Sequence, residues 1–127
     1  MILYAQSTGT HATNSANWTP IPGLTLTLPE GAKDLVLVIL NVPNPYATGH
    51  DFPGGAFGIS VDGTLQAPIA VFTYDSSTPQ SSGRKPTTLV VGVQLTQKPQ
   101  TVQGMWQNVR GSTVIIDSPA TLSVIVA

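Results

Sequence analysis

Two arginines raise the first question about chemistry. Arg84 closes the loop Gln80-Ser81-Ser82-Gly83-Arg84, and Arg110 follows Trp106-Gln107-Asn108-Val109. A guanidinium is a planar fork of donors that can hold two neighbouring oxygens at once. Vicinal hydroxyls of a sugar fit that fork, and so does a carboxylate. Tyr46 and Tyr74 would add aromatic faces with a polar tip. Thr73, Ser81, Ser82, Asp117 and Ser118 would donate and accept around them. The pattern therefore admits two readings: a site for a neutral polyol, or a surface Arg–Asp pair among ordinary loop hydroxyls.

Catalytic patterns are weaker. There are two histidines, and His50 has an acid beside it in Asp51. No serine sits in a G-x-S-x-G elbow, and no histidine pair has metal-ligand spacing. The six acids are dispersed, so no two pair as a glycosidase would need. Asp51, Asp62, Asp75 and Asp117 form no metal-ligand motif. His50 and Asp51 read as a solvated loop, and Asn17-Trp18-Thr19 as a chance glycosylation sequon. The expectation is a protein that is not an enzyme and uses no metal or cofactor.

Composition narrows the partners. Only 9% of the 127 residues are charged, against about 25% in an average soluble protein. Polarity comes instead from 10 Ser and 16 Thr. Five scattered cations and a net charge of -1 leave no footprint for nucleic acid or an anionic membrane. Without cysteine there is no disulfide framework and no thiolate metal site. The apolar run Leu35 to Leu40 is too short to span a bilayer. The N-terminus lacks a basic n-region and does not read as a signal peptide. Localisation stays open between the cytoplasm, where the chain is made, and release or display outside the cell.

These residues need elements to position them. The 11 prolines interrupt most windows long enough for a helix. Short Val/Ile/Leu/Thr runs recur between turn clusters, the all-β signal. Leu24, Leu26 and Leu28 alternate with Thr25 and Thr27, so one face is buried. Leu35 to Val42 is apolar on both faces, which predicts cover by a second sheet on one side and by another subunit on the other. Asp62-Gly63 marks a hairpin. Further strands are expected at Ile69 to Tyr74, Thr88 to Leu95, Thr101 to Val109, Thr113 to Ile116 and Thr121 to Val126. Pro29 to Asp34 reads as at most a single turn. Eight to ten strands with Gly/Pro-rich connections suit a two-sheet sandwich or jelly roll. Residues 1–127 show no repeat or linker, so one domain is expected. The long loops Pro43 to Gly55 and Asp75 to Pro86 are the places to look for function.

Four segments carry a resemblance: IPGLTLTL (Ile21 to Leu28), VILNVPNPYATGHDFPGG (Val38 to Gly55), VFTYDSSTPQSSGRKP (Val71 to Pro86) and GMWQNVRGSTVIIDSPATLSVI (Gly104 to Ile125). In order and spacing they resemble the N-terminal, fucose-binding domain of the Burkholderia superlectins, over roughly residues 20 to 126. That resemblance implies a jelly roll like tumour necrosis factor, a homotrimer, and three metal-free fucose pockets between protomers. It implies fucosylated cell-surface glycans as partners and a role in adhesion. Carried over residue by residue, it marks Tyr46, Thr73, Tyr74, Ser81, Ser82, Arg84, Arg110, Asp117 and Ser118 as fucose ligands. The two arginines would grip sugar hydroxyls or the ring oxygen.

Three positions depart from the family. Ala56 stands where the relative has a sugar-site Tyr, and Gln80 and Ile69 stand where it has acids near the extended glycan. Ala56 and Gln80 are therefore the expected extended-glycan contacts. In the family a calcium-dependent lectin domain follows. The sequence here stops at Ala127, so a single-domain chain is expected. The rival expectation is a trimeric structural or toxin-associated module whose sugar specificity has changed or been lost.

Overall fold

The computed structural model describes residues 2–31 and 34–126. Twelve strands and no helix occupy the described residues. Ala32 and Lys33, within the stretch expected to form a single turn, lie outside them.

Two large sheets form the body. The first has the order β1–β12–β4–β9, built from β1 (Ile2–Gln6), β12 (Thr121–Ile125), β4 (Leu35–Val42) and β9 (Thr87–Gln94). The second runs β3 (Thr19–Leu28), β10 (Gln100–Val109), β6 (Gly54–Val61) and β7 (Thr64–Leu65), with β8 (Ala70–Thr73) also paired to β6. A small third sheet, β2 (His11–Thr13), β11 (Thr113–Ile116) and β5 (Tyr46–Thr48), closes one end. Every pairing is antiparallel.

The period of two builds the core. Val36, Val38, Leu40 and Val42 of β4 point inward with Leu89, Val91 and Val93 of β9 and Leu122 and Val124 of β12. Phe57, Ile59, Val102, Trp106, Leu24 and Leu28 meet them from the second sheet. Fully burying a side chain as large as Phe57 contributes about 3 kcal/mol. At Gly104 the two sheets come close: a Cβ there would stand 3.2 Å from Leu40 and 3.3 Å from Leu24. The all-β sandwich expected from the alternation is what forms.

The strand expectations differ from the fold in three places. The short β1, β2 and β5 lie where the sequence shows no strand signal. Asp62 and Gly63, both with positive φ, turn the chain between β6 and β7 as the Asp-Gly pair predicts. Strand β4 is covered on its inner face only. Leu35 is 62% exposed in the single chain, and Leu37 and Ile39 lie beside it on the outer face.

Candidate ligand-binding site

The loops expected to carry function meet beside the third sheet. Arg84 lies in the irregular stretch before β9. Its Nη1 donates to Oδ1 of Asp117 at 2.7 Å, and its Nη2 donates to Oδ2 at 2.9 Å. Nη1 also donates to the Asn44 carbonyl at 3.1 Å. The guanidinium carbon stands 4.4 Å from the centre of the Tyr46 ring, within cation–π range. Asn44 in turn donates from Nδ2 to Ser118 at 3.1 Å. Arg84, Asp117, Ser118 and Tyr46 are thus one connected group, with Asn44 as a member that no sequence pattern marks.

The electrostatics follow from this clamp. The Arg84 guanidinium, bonded to both oxygens, holds the Asp117 carboxyl below its ordinary value of 3.8. The same hydrogen bonds raise the Arg84 guanidinium above its ordinary value. A guanidinium has five N–H donors. Three are committed, so two remain on a plane fixed by an anion and a ring.

Tyr74 links two elements of the site. It is 7% exposed. Its hydroxyl donates to the Gly83 carbonyl at 2.6 Å and accepts from the Ala47 N–H at 3.3 Å. It therefore fastens the Arg84 loop to β5. Burial raises the phenol above its ordinary value of 10.0, and the Ala47 hydrogen bond opposes that only in part. The hydroxyl keeps its proton, and so its bond to Gly83, through neutral pH. Lys85 lies 5.3 Å above the Tyr74 ring.

Arg110 belongs to a second group. With Gly111 it makes the turn from β10 to β11, with φ of 49° and 70°. Ser112 N–H closes that turn on the Val109 carbonyl at 3.2 Å. Two consecutive positive φ values are the signature of a type I′ turn. The Arg110 Nε donates to the Asp51 carbonyl at 2.9 Å, and Nη2 donates to the Phe52 carbonyl. The guanidinium carbon lies 5.9 Å from the Phe52 ring centre. Phe52 itself has φ of 46°, an unusual state for a bulky residue. Two of the three non-glycine positive-φ residues among those described therefore touch. Main-chain carbonyls hold Arg110 here, and these leave no trace in residue type.

Ser112, buried at 2% exposure, ties the groups together. Its Oγ lies 2.7 Å from the carbonyls of both Gly54 and Val109 and accepts the Gly54 N–H at 3.2 Å. Tyr74 N–H donates to the Pro53 carbonyl at 2.9 Å. The Phe52-Pro53-Gly54 corner thus contacts both groups. Thr73 pairs with Gly54, where β8 lies against β6.

The remaining expected residues fall in two kinds of place. Ser81 is exposed and Ser82 half-buried in the Arg84 loop, and Gln80 is exposed beside them. Ala56 is 2% exposed in the middle of β6, between Val71 and Gln107. A methyl there offers a ligand almost no surface. A cavity of about 470 Å³ opens next to Ser82, lined also by Thr48, His50, Thr78, Pro79 and Thr113. Among the described residues no group of three or more His, Asp or Glu could hold a metal ion.

Residues 7–125 match the family described as "Bc2l-C, N-terminal domain". The chain belongs to that family. No curated protein sequence matches it. Among solved structures it is similar in fold to the EclA C-terminal domain, a sugar-binding protein (TM-score 0.53, 12% identity, 94% of this chain and 79% of that one). A family 35 carbohydrate-binding module from Clostridium thermocellum is also similar (TM-score 0.50, 12% identity, 100% and 99%). So is the insecticidal delta-endotoxin Cry8Ea1 from Bacillus thuringiensis (TM-score 0.50, 16% identity). The match covers 93% of this chain and only 19% of the toxin's length. At these identities the likeness is one of fold.

Proposed function

We propose that this family member is a lectin that binds fucose or a fucosylated glycan, and that it acts by binding rather than by catalysis. The observation that carries the reading is Arg84, held flat between Asp117 and Tyr46 with donors to spare. Arg110 supplies a second such fork on its own turn. Ser81 and Ser82 share the Arg84 loop, and Ser118 joins the same group through Asn44, in keeping with a neutral polyol ligand. Membership of the family and the sandwich fold support the same reading.

The protein works as a homotrimer in this proposal, with each pocket completed by a neighbour. Support comes from the outer face of the β1–β12–β4–β9 sheet. Ile2, Tyr4, Leu35, Leu37, Val90 and Ile125 are all large, apolar and exposed there. Register puts Ile2, Ile125 and Leu37 side by side across three strands. A contiguous apolar face of this kind marks an interaction surface. A single sugar pocket binds weakly because few contacts offset ordering and desolvation. Three pockets on one glycan-covered surface gain avidity through effective concentration.

Calorimetric titration with methyl α-L-fucoside tests the site. Arg84→Ala and Arg110→Asn should each weaken binding at least about tenfold, the usual worth of a charge-assisted hydrogen bond. Asn tolerates the left-handed backbone at position 110, so the loss there reports the guanidinium. Unchanged affinity in both variants would refute the assignment. The buried Ala56, in place of the family's site Tyr, favours the rival reading of a trimeric module that has lost its sugar. A glycan array without a single hit would select that alternative.

A further inference from the structure

We infer that Asn108 is a positioning residue for Arg110: its buried amide laces the turn that carries the second guanidinium fork and so aims that fork. The inference rests on the reading of Arg110 as a ligand-binding residue and deepens it. Val102, Trp106 and Asn108 are buried at alternate positions on the inner face of β10. An amide there breaks the apolar pattern. Asn108 is 7% exposed, and a polar group so buried needs partners. Its Nδ2 donates to the Ser112 carbonyl at 2.8 Å and to the Asn14 carbonyl at 2.9 Å, which uses both N–H groups of the amide. Its main-chain N–H donates to the Ser15 carbonyl at 2.9 Å. Among the described residues the buried polar side chains are those of Ser7, Ser60, Asn108 and Ser112. Two of these four stand at the two feet of one turn.

That turn needs holding. Arg110 has φ of 49°, a backbone state that glycine takes freely and that other residues keep only where their surroundings impose it. The main-chain bond across the turn, from Ser112 N–H to the Val109 carbonyl, is long at 3.2 Å. The Asn108 amide adds a shorter bond outside it, enclosing Val109, Arg110 and Gly111. Its second bond moors the turn to the loop between β2 and β3. This mooring lies past Trp106 and Thr19, where the pairing of β10 with β3 ends. Held in this way, Arg110 reaches the carbonyls of Asp51 and Phe52. Asn108 is too buried to touch a ligand, so its effect on binding has to pass through Arg110.

The test is a double-mutant cycle on the whole chain, read by calorimetric titration with methyl α-L-fucoside. Asn108→Ala should weaken binding about threefold to tenfold in the parent. Added to Arg110→Asn it should cost nothing more, because the fork it aims is already gone. An equal loss in both backgrounds means that Asn108 serves the fold alone, and overturns the inference. Unchanged affinity of the single variant overturns it too, and leaves the fucose reading standing. Asn108→Ser keeps one short donor and carries the same cycle if the alanine chain does not fold. A measurement without ligand separates the two readings further. Nuclear Overhauser contacts between the Arg110 side chain and the Phe52 ring should be present in the parent and in Arg84→Ala, and lost in the Asn108 variant. A parent that binds no fucoside overturns the fucose reading, while these contacts still decide whether Asn108 holds Arg110. Their survival in the Asn108 variant overturns the inference.

Discussion

Asp117 meets Arg84 through both carboxylate oxygens, so its charge decides how firmly the fork is aimed. Its carboxyl sits below the ordinary 3.8 in the folded chain. The pair's stabilisation is thus complete above the unfolded carboxylate value and is lost as pH falls through the lower folded value. Thermal unfolding of the parent and Asp117→Asn should show a constant lead for the parent at neutral pH, and that lead should vanish only below 3.8. Tyr74→Phe makes a separate residue-scale prediction. Removing that hydroxyl strands the Ala47 N–H and the Gly83 carbonyl, at about 1–3 kcal/mol in denaturant unfolding. Fucoside affinity should fall as well, because the Arg84 loop loses its tie to β5. The two arginines were legible as residues worth testing from their rarity alone. Their holders were legible only in part. Asp117 could be named, but Asn44, Ser112 and the carbonyls of Asp51 and Phe52 act through loop geometry that no spacing rule encodes.

At the scale of elements, alternation made most strands readable. Strands β4, β9 and β12 each carry inward apolar residues at alternate positions. The missed strands are short or mixed. His11–Thr13 and Tyr46–Thr48 have three residues each, too few to show a period. Both gain order from β11 between them, a pairing distant in sequence. The tightest element contact is β8 on β6. A Cβ at Gly54 would collide with the Phe72 carbonyl and press on Thr73. Gly54→Ala should therefore cost about 3 kcal/mol and loosen the strand that carries Thr73. Loss of amide-exchange protection in residues 70–73, with the β4–β9 pairing still protected, would show that the damage stays at this seam. Uniform loss across both sheets would argue against it.

The whole molecule hides one face of its first sheet and bares the other. That both faces of β4 are apolar was readable, and the second sheet supplies the inner cover. The outer face is exposed in the single chain. In the proposed trimer, Leu37→Glu would place a charge in the middle of the covered surface. Light scattering should then fall from three times the 13.2 kDa chain mass to that mass itself, while the far-ultraviolet spectrum keeps its strand character. A parent already at 13.2 kDa would remove the trimer and every pocket drawn between protomers. The charge content of 9% suits such a design, since a covered sheet face and a neutral ligand both disfavour ions.

The first sheet also gives the molecule a head and a tail. Ile2 pairs with Ile125, and Gln6 pairs with Thr121. The first and last strands therefore start and finish side by side at one end. Asn41, Thr88 and Thr121 stand at the other end, where the chain passes into the loops that hold Tyr46, Arg84 and Asp117. The strands set about 15 Å between those ends. Cargo attached at either terminus would sit at the opposite end of the sheet from those loops, leaving them unobstructed whichever end is tethered.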